Sequence, residues 1–266
     1  MSSLDGRIAL VTGAGGGIGA ATCCRLSKDG AVVVAADVNF DSAVAVAEQI
    51  TQSGGKAVAK RLNVVNQDEW GGVISDTLKK FGGLDILVNN AGVAHIKPLE
   101  AVSFEEWTSD FNVNLNGAFL GIKASLEVMR DSAKRTSGGS IINIASVSAI
   151  RGSPGMPAYS ASKGGLRLFS KAIAVDFARR RYGIRVNTIF PGLIDTSLTK
   201  PLFESQLKPG SQKKIETIRQ EMINRYPIGR IGKPEEIASV VSFLAGDDSS
   251  YMVGAELVVD GGLTAG

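Results

Sequence analysis

Tyr159 and Lys163 stand four residues apart in a run of small residues, AYSASKG at 158–164. On a helix, positions i and i+4 share a face, so the phenol and the ammonium sit side by side. A free phenol has a pKa near 10, too high for a base at neutral pH, and an adjacent cation lowers such a group by about 1 to 3 units. The pair can therefore make tyrosine a proton carrier. For an isolated pair at this spacing a packed tyrosine and a solvated lysine are the better explanation, so the rest of the chain must decide.

A second group suits phosphate. TGAGGGIG at 12–19 follows an apolar run and precedes the helical pattern ATCCRL. Strand, glycine loop and helix together bring backbone N–H groups and the positive end of a helix dipole to a pyrophosphate. Two registers fit, G-x-G-x-x-A from Gly15 and T-G-x-x-x-G-x-G from Thr12, and spacing does not choose between them. Asp37, 18 residues past Gly19, ends the next apolar run. A carboxylate there accepts hydrogen bonds from the adenosine ribose hydroxyls and repels a 2′-phosphate. No lysine or arginine at 14–16 or 38 offsets that repulsion, which favours NAD over NADP. The alternative is that Asp37 caps the helix starting in DVNFDSA.

The elements that must hold these groups alternate. Short β-branched runs at 8–12, 31–36, 56–62, 85–89, 140–145, 184–190 and 255–260 read as strands. Longer amphipathic stretches at 18–29, 41–53, 67–81, 104–131, 158–182 and 234–246 read as helices. Seven strands alternating with helices predict a parallel sheet covered on both faces, an α/β fold whose ligands bind beyond the carboxyl ends of the strands. No repeat or linker interrupts the rhythm, so a single domain over 1–266 is expected. The irregular zone is 197–229, with Pro201, Pro209-Gly210 and Pro227 around the helical pattern QKKIETIRQEMI. It suggests a cover over the site, the plainer reading being a surface excursion.

Composition excludes several classes. The 266 residues are 44% hydrophobic and can bury a full core. No charge-free apolar segment approaches the roughly 18 to 20 residues that span a bilayer, and Met1–Arg7 lacks a signal peptide's basic and apolar regions. A cytoplasmic location and no membrane partner are expected. His95 is the sole histidine, and Cys23 and Cys24 are adjacent on a helical pattern where side chains diverge, so no metal site, histidine triad or disulfide is expected. His95 reads as structural or incidental. The net charge is +3, yet basic residues do not interleave with aromatics, so no nucleic-acid partner is expected. Between Ser197 and Arg230, seven basic residues face three acids, which makes that segment +4.

In order along the chain stand TGAGGGIG (12–19), NNAG (89–92), the asparagine of VNL (113–115), a serine in IINIASVS (141–148), YSASK (159–163) and PG (191–192). With these motifs the sequence resembles the short-chain dehydrogenases/reductases over nearly its whole length. The resemblance implies one Rossmann-like doubly wound domain and selects the register with Gly13, Gly17 and Gly19 as loop glycines, Ile18 lying between the last two at the cofactor. It places the catalytic tetrad on Asn114, Ser146, Tyr159 and Lys163, and sets Asn90 beside the cofactor. Tyr159 would then exchange a proton with the substrate hydroxyl while hydride passes to or from the nicotinamide. Lys163 would hold the nicotinamide ribose, and Ser146 would hydrogen-bond the substrate oxygen. Ser148 is the rival serine, and Asn112 and Asn116 are the rival asparagines. Asn114 would anchor a water that relays protons from Lys163.

The family usually carries aspartate before valine after its third strand; Asn63-Val64 stands here, and Asn63 can still pair with adenine. Pro191, Gly192, Ile194 and Thr196 would form the loop on the nicotinamide amide, with the basic segment beyond it as substrate cover. The expected activity is interconversion of a secondary alcohol and its ketone, with NAD. IRGSPGMP (150–157) and IDTSLTKPLFESQ (194–206) resemble relatives acting on ring alcohols. The alternatives are a 3-oxoacyl-type reductase using NADPH and a dinucleotide sensor that has lost the chemistry. A homotetramer or homodimer through the helices at 104–131 and 158–182 is also implied.

Overall fold

The computed structural model describes residues 4–205 and 215–266. Strands β1 (Ile8–Thr12), β2 (Val32–Asp37), β3 (Lys56–Arg61), β4 (Ile86–Asn89), β5 (Gly139–Ile144), β6 (Ile184–Pro191) and β7 (Glu256–Val259) form one sheet in the order β3-β2-β1-β4-β5-β6-β7. Every pairing is parallel. Each strand lies within one residue of its expected bounds.

Alternation along the strands divides the core. Ala9, Val11, Val33, Ala35, Ile86 and Val88 meet Cys23 and Leu26 of α1 (Gly17–Lys28), Ile50 of α2 (Phe40–Gln52), and Val241 and Leu244 near the C-terminus. Leu10, Val34, Leu87, Ile141 and Val186 turn to the other face, where Trp70, Val73 and Ile74 of α3 (Gln67–Phe81) cover them. With both faces covered, the middle strands are largely apolar, and all five residues of β1 are buried. Truncating Leu10, fully buried at the sheet centre, to alanine would cost about 2–5 kcal/mol.

The helices are punctuated by short polar side chains. Asn66 accepts from the N–H groups of Asp68 and Glu69 at the start of α3, and Gly82 ends that helix in the left-handed region. Ser103 and Glu106 form a reciprocal capping box on α4 (Phe104–Phe111). The stretch expected as one helix over 104–131 is in fact two. A π-helical turn at Asn112–Asn116 separates α4 from α5 (Gly117–Ala133). It inserts one residue per turn relative to an α-helix and re-aims the side chains it carries.

α6 (Pro157–Arg179) opens on a proline at its first turn, where no N–H is needed. The 197–229 zone holds a 3-10 turn (Ser197–Thr199), α7 (Lys200–Glu204) and α8 (Ile215–Ile223), and α9 (Pro234–Ala245) follows. Residues 212–214 of the expected helical pattern, and Pro209-Gly210, lie outside the described residues. No described helix is long and apolar enough to cross a membrane.

From β1 the chain builds outward to β3, then returns to place β4 on the other side of β1. The crossovers diverge there, and the diverging loops leave a crevice at the carboxyl ends of β1 and β4.

Candidate active site

Two adjoining cavities open at this crevice. The larger, about 490 Å³, is walled by Gly13, Gly16, Gly17, Ile18, Asp37, Asn90, Pro191, Gly192, Ile194 and Thr196, together with Ser146, Tyr159 and Lys163. Gly13 has φ +63°, and a Cβ there would lie 2.9 Å from Ala91 Cα. At Gly19 a Cβ would lie 2.0 Å from the Gly13 carbonyl oxygen, so α1 packs against the loop only through glycine. Asn90 Nδ2 donates to the carbonyls of Thr12 (2.9 Å) and Gly13 (3.1 Å) and sets the loop's curvature. Gly16 precedes α1 with no side chain capping it. An uncapped helix start behind a glycine wall fits the pyrophosphate of a dinucleotide.

Asp37 lines the same cavity. Its Oδ2 accepts from Gly15 N and its Oδ1 from Asn39 N, each at 2.9 Å, which orients the carboxylate. The helix cap considered as its alternative role falls to Asn39, whose side chain accepts from Ser42 N. Asn63 and Val64 are not among the cavity walls. The Asn63 N–H donates to Glu69, and its Oδ1 accepts from Val65 N at 3.3 Å. Val64 is buried beneath Trp70, whose indole donates to its carbonyl.

The tetrad positions converge. Lys163 Nζ donates to the Ile144 carbonyl at 2.8 Å, at the end of β5, and lies 5.8 Å from the centre of the Tyr159 ring. Ser146 stands beside Tyr159, close enough for its hydroxyl to act on the phenol. Ser146 Oγ also accepts from Ser148 N, which fixes its rotamer at the strand end. The rival Ser148 pairs its hydroxyl with Ser153 at 2.8 Å. Asn114 is 2% exposed, whereas Asn116 donates to Asn112 on the outer face. The π turn thus sorts three asparagines, sending Asn114 inward. Its Oδ1 accepts from Val93 N, and its Nδ2 donates to Val93 O and Ser162 Oγ.

Burial dominates the electrostatics. It pushes the Tyr159 phenol up to about 12, against a smaller opposing effect of the Ser146 hydroxyl. It pulls the Lys163 ammonium down to about 8, partly offset by the negative charge of Asp110. The lowering of the phenol expected from Lys163 is therefore outweighed, in the protein alone, by removal of water from both groups. A cation arriving in the larger cavity would act in the opposite sense.

The second cavity, about 210 Å³, is largely apolar: Ile96, Val147, Pro154, Met156, Leu193, Leu202, Met222 and Leu263 line it, with Arg151, Arg225 and Tyr226. Ser146 and Tyr159 belong to the walls of both cavities. Leu198, Thr199, Leu202, Met222 and Arg225 come from the 197–229 zone, and Leu263 comes from the C-terminus. Asp110 went unnoticed in the sequence. It is fully buried, and His95 Nδ1 lies 2.7 Å from its Oδ1. An acid four residues before Asn114, on the inward face of an amphipathic helix, was the available signal.

A glycine-walled dinucleotide cleft joined to an apolar cavity at a buried Tyr–Lys–Ser group defines an oxidoreductase of the nicotinamide-dinucleotide class. The family model described as enoyl-(acyl carrier protein) reductase matches residues 13–264. Cyclopentanol dehydrogenase of Comamonas sp. (strain NCIMB 9872) is 38% identical over 265 residues, covering 100% of each chain. The 3-oxoacyl-(acyl-carrier-protein) reductase FabG of Thermotoga maritima is 39% identical, with 98% of each chain covered. Among solved structures, levodione reductase superposes with a TM-score of 0.90 at 32% identity over 98% of each chain. The chain belongs to the short-chain dehydrogenase/reductase family.

Proposed function

We propose that the protein interconverts a secondary alcohol, a small ring alcohol foremost, and its ketone, using NAD(H). The observation that carries this reading is the position of Ser146 and Tyr159 in the shared wall of the two cavities. A substrate oxygen there meets a hydroxyl donor and a proton carrier at once. Bound NAD⁺ supplies a hydride acceptor, and NADH a donor. In oxidation Tyr159 takes the hydroxyl proton, Ser146 hydrogen-bonds the oxygen, and Lys163 stabilises the phenolate. In reduction Tyr159 returns the proton. Gly13, Gly17, Ile18 and Gly19 shape the pyrophosphate cradle, Lys163 and Asn90 border the nicotinamide end, and Ile194 and Thr196 face the amide. Asn63 and Val64, which do not wall the cavity, are assigned to the adenine by resemblance alone.

Asn114 Oδ1 and Lys163 Nζ approach the same side of Gly92, at 3.1 and 3.5 Å from where its Cβ would stand. A water placed there suits both groups and the relay of protons outward.

Asp37 favours NAD because its carboxylate lines the cleft and a 2′-phosphate would have to approach it. The similarity to cyclopentanol dehydrogenase and the small apolar second cavity support a ring alcohol. The similarity to the 3-oxoacyl reductase keeps carbonyl reduction with NADPH as the second reading. The chain acts as one domain, with 197–229 as substrate cover. Exposed Phe119 on α5 and Leu168 and Val175 on α6 support assembly of copies through these helices.

The test is absorbance at 340 nm with NAD, then NADP, against cyclic, linear and anionic secondary alcohols. Turnover with NAD and a ring alcohol is expected. Turnover confined to NADP and acyl ketones would support the reductase instead, and tight NAD binding without turnover would support a sensor.

A further inference from the structure

Asp110 has 0% exposure and projects from α4 one turn before Asn114. A carboxylate taken wholly out of water is costly unless its oxygens are hydrogen-bonded and a cation is near. Both conditions are met by groups of the active site. Its Oδ1 lies 2.7 Å from His95 Nδ1, and its Oδ2 accepts a long 3.5 Å contact from the His95 backbone N–H.

His95 belongs to the segment after β4 that contributes Gly92 and Ala94 to the cofactor cleft and Ala94 and Ile96 to the substrate cavity. Asn114 holds the start of that segment at Val93, and Asp110 holds its middle at His95. Gly92 in turn stands against Lys163 Nζ. α4 and the π turn that follows it therefore clamp the partition between the two cavities with two side chains, a buried carboxylate and a neutral amide.

We infer that Asp110 is a positioning residue of the reaction, a buried counter-ion that faces Lys163 from α4 and, through His95, fixes the segment dividing the cofactor cleft from the substrate cavity. This rests on the acid–base roles proposed for Tyr159 and Lys163. Among the described residues, the charged and titratable groups that act on Asp110 are His95 from the segment after β4 and Lys163 from α6. Asp110 also acts on Tyr159. Glu106, one turn earlier on α4, faces His95 from the surface and is paired with Lys97. The buried carboxylate favours ammonium over amine at Lys163 and phenol over phenolate at Tyr159.

Removing this charge has a signature that loss of packing lacks. Asp110→Asn keeps the shape but deletes the charge, so both titrations move to lower pH. In alcohol oxidation the two limbs of kcat/KM against pH report the coupled titration of phenol and ammonium, not one group each. Both limbs are expected to move acidward by about half a pH unit or more. His95→Lys sets a permanent cation against the same carboxylate from a position 31% exposed, and should shift both limbs in the same direction even if Asp110→Asn does not fold.

The phenol can also be titrated without substrate, as the 295 nm absorbance difference between each protein and its Tyr159→Phe counterpart. That readout stands if the proposed activity is absent, and a lower midpoint in either variant is expected. A folded Asp110→Asn or His95→Lys protein that loses rate with neither limb nor phenol midpoint displaced would overturn the inference.

Discussion

Asn114 Nδ2 donates to Ser162 Oγ at 3.0 Å, and that hydroxyl donates in turn to the Tyr159 carbonyl at 2.8 Å. The amide carried by the π turn is thereby tied to the first turns of α6, between Tyr159 and Lys163. Asn114→Ala would leave the Val93 N–H and carbonyl without their partner in a nearly dry site. A loss of about 1–3 kcal/mol in urea unfolding is expected, together with a fall in kcat, since the Gly92 edge beside Lys163 is released. Unchanged stability would show that water substitutes for the amide.

Tyr159→Phe removes the proposed proton carrier and little volume. Turnover should fall by about 10²–10⁴-fold, while NAD binding, followed by quenching of intrinsic fluorescence, stays close to wild type. Near wild-type turnover would sink the proposed chemistry.

Asp37→Ser deletes the carboxylate that a 2′-phosphate would have to approach. Discrimination between the cofactors, as the ratio of kcat/KM for NAD to that for NADP, should drop at least tenfold, about 1.4 kcal/mol. A ratio that stays put would move the basis of cofactor choice elsewhere in the cleft.

Burial pulls the Lys163 ammonium down from its ordinary 10.5 to about 8 in the folded protein. Below pH 8 the folded state bears the full cost of a buried ammonium. Between about 8 and 10.5 the unfolded chain binds the extra proton, so stability rises with pH across that window. Relative to Lys163→Met, the wild-type protein should gain up to roughly 3 kcal/mol over this range in denaturant titrations without cofactor. The Tyr159 phenol, raised from 10.0 to about 12, acts oppositely, and its contribution is lost as pH climbs through that interval. A flat difference between the two proteins from pH 8 to 10 would contradict the burial effect at Lys163.

Leu168 is 70% exposed and Val175 49% exposed on one face of α6. If copies assemble there, Leu168→Glu should shift the species seen by light scattering toward the monomer with the fold intact by circular dichroism. A wild-type protein that is already monomeric would remove the basis for this interface.

Much of the architecture was legible because its signals are local. Strand β1 is a five-residue apolar run between polar and glycine positions, and α3 is announced by Asn66 before it and Gly82 after it. Tyr159 and Lys163 could be paired on paper because helical spacing alone brings them together. Ser146 could not. Its approach to Tyr159 depends on the turn after β5 packing against α6, and it was placed through resemblance to a family.

The choice among Asn112, Asn114 and Asn116 was equally hidden, because a 3.6-residue period does not foresee a π turn. His95 read as incidental for a related reason. Its partner lies 15 residues away on a helix whose inward face looks, in sequence, like ordinary amphipathic pattern. Composition also underrated burial at the site, since a cation beside a phenol lowers its pKa only when desolvation does not overwhelm it.

The π turn at Asn112–Asn116 also sets a rule about chain length. One residue advances an α-helix by about 100°, so a single deletion there would straighten the segment and rotate Asp110 and Asn114 out of line with each other. One of them would leave the site, and the Val93–His95 segment would lose one of its two ties. Insertions and deletions should thus be tolerated around 134–137, in the exposed turn before β5, and rejected between 104 and 118. Within that stretch the count of residues is as much a part of the site as their identity.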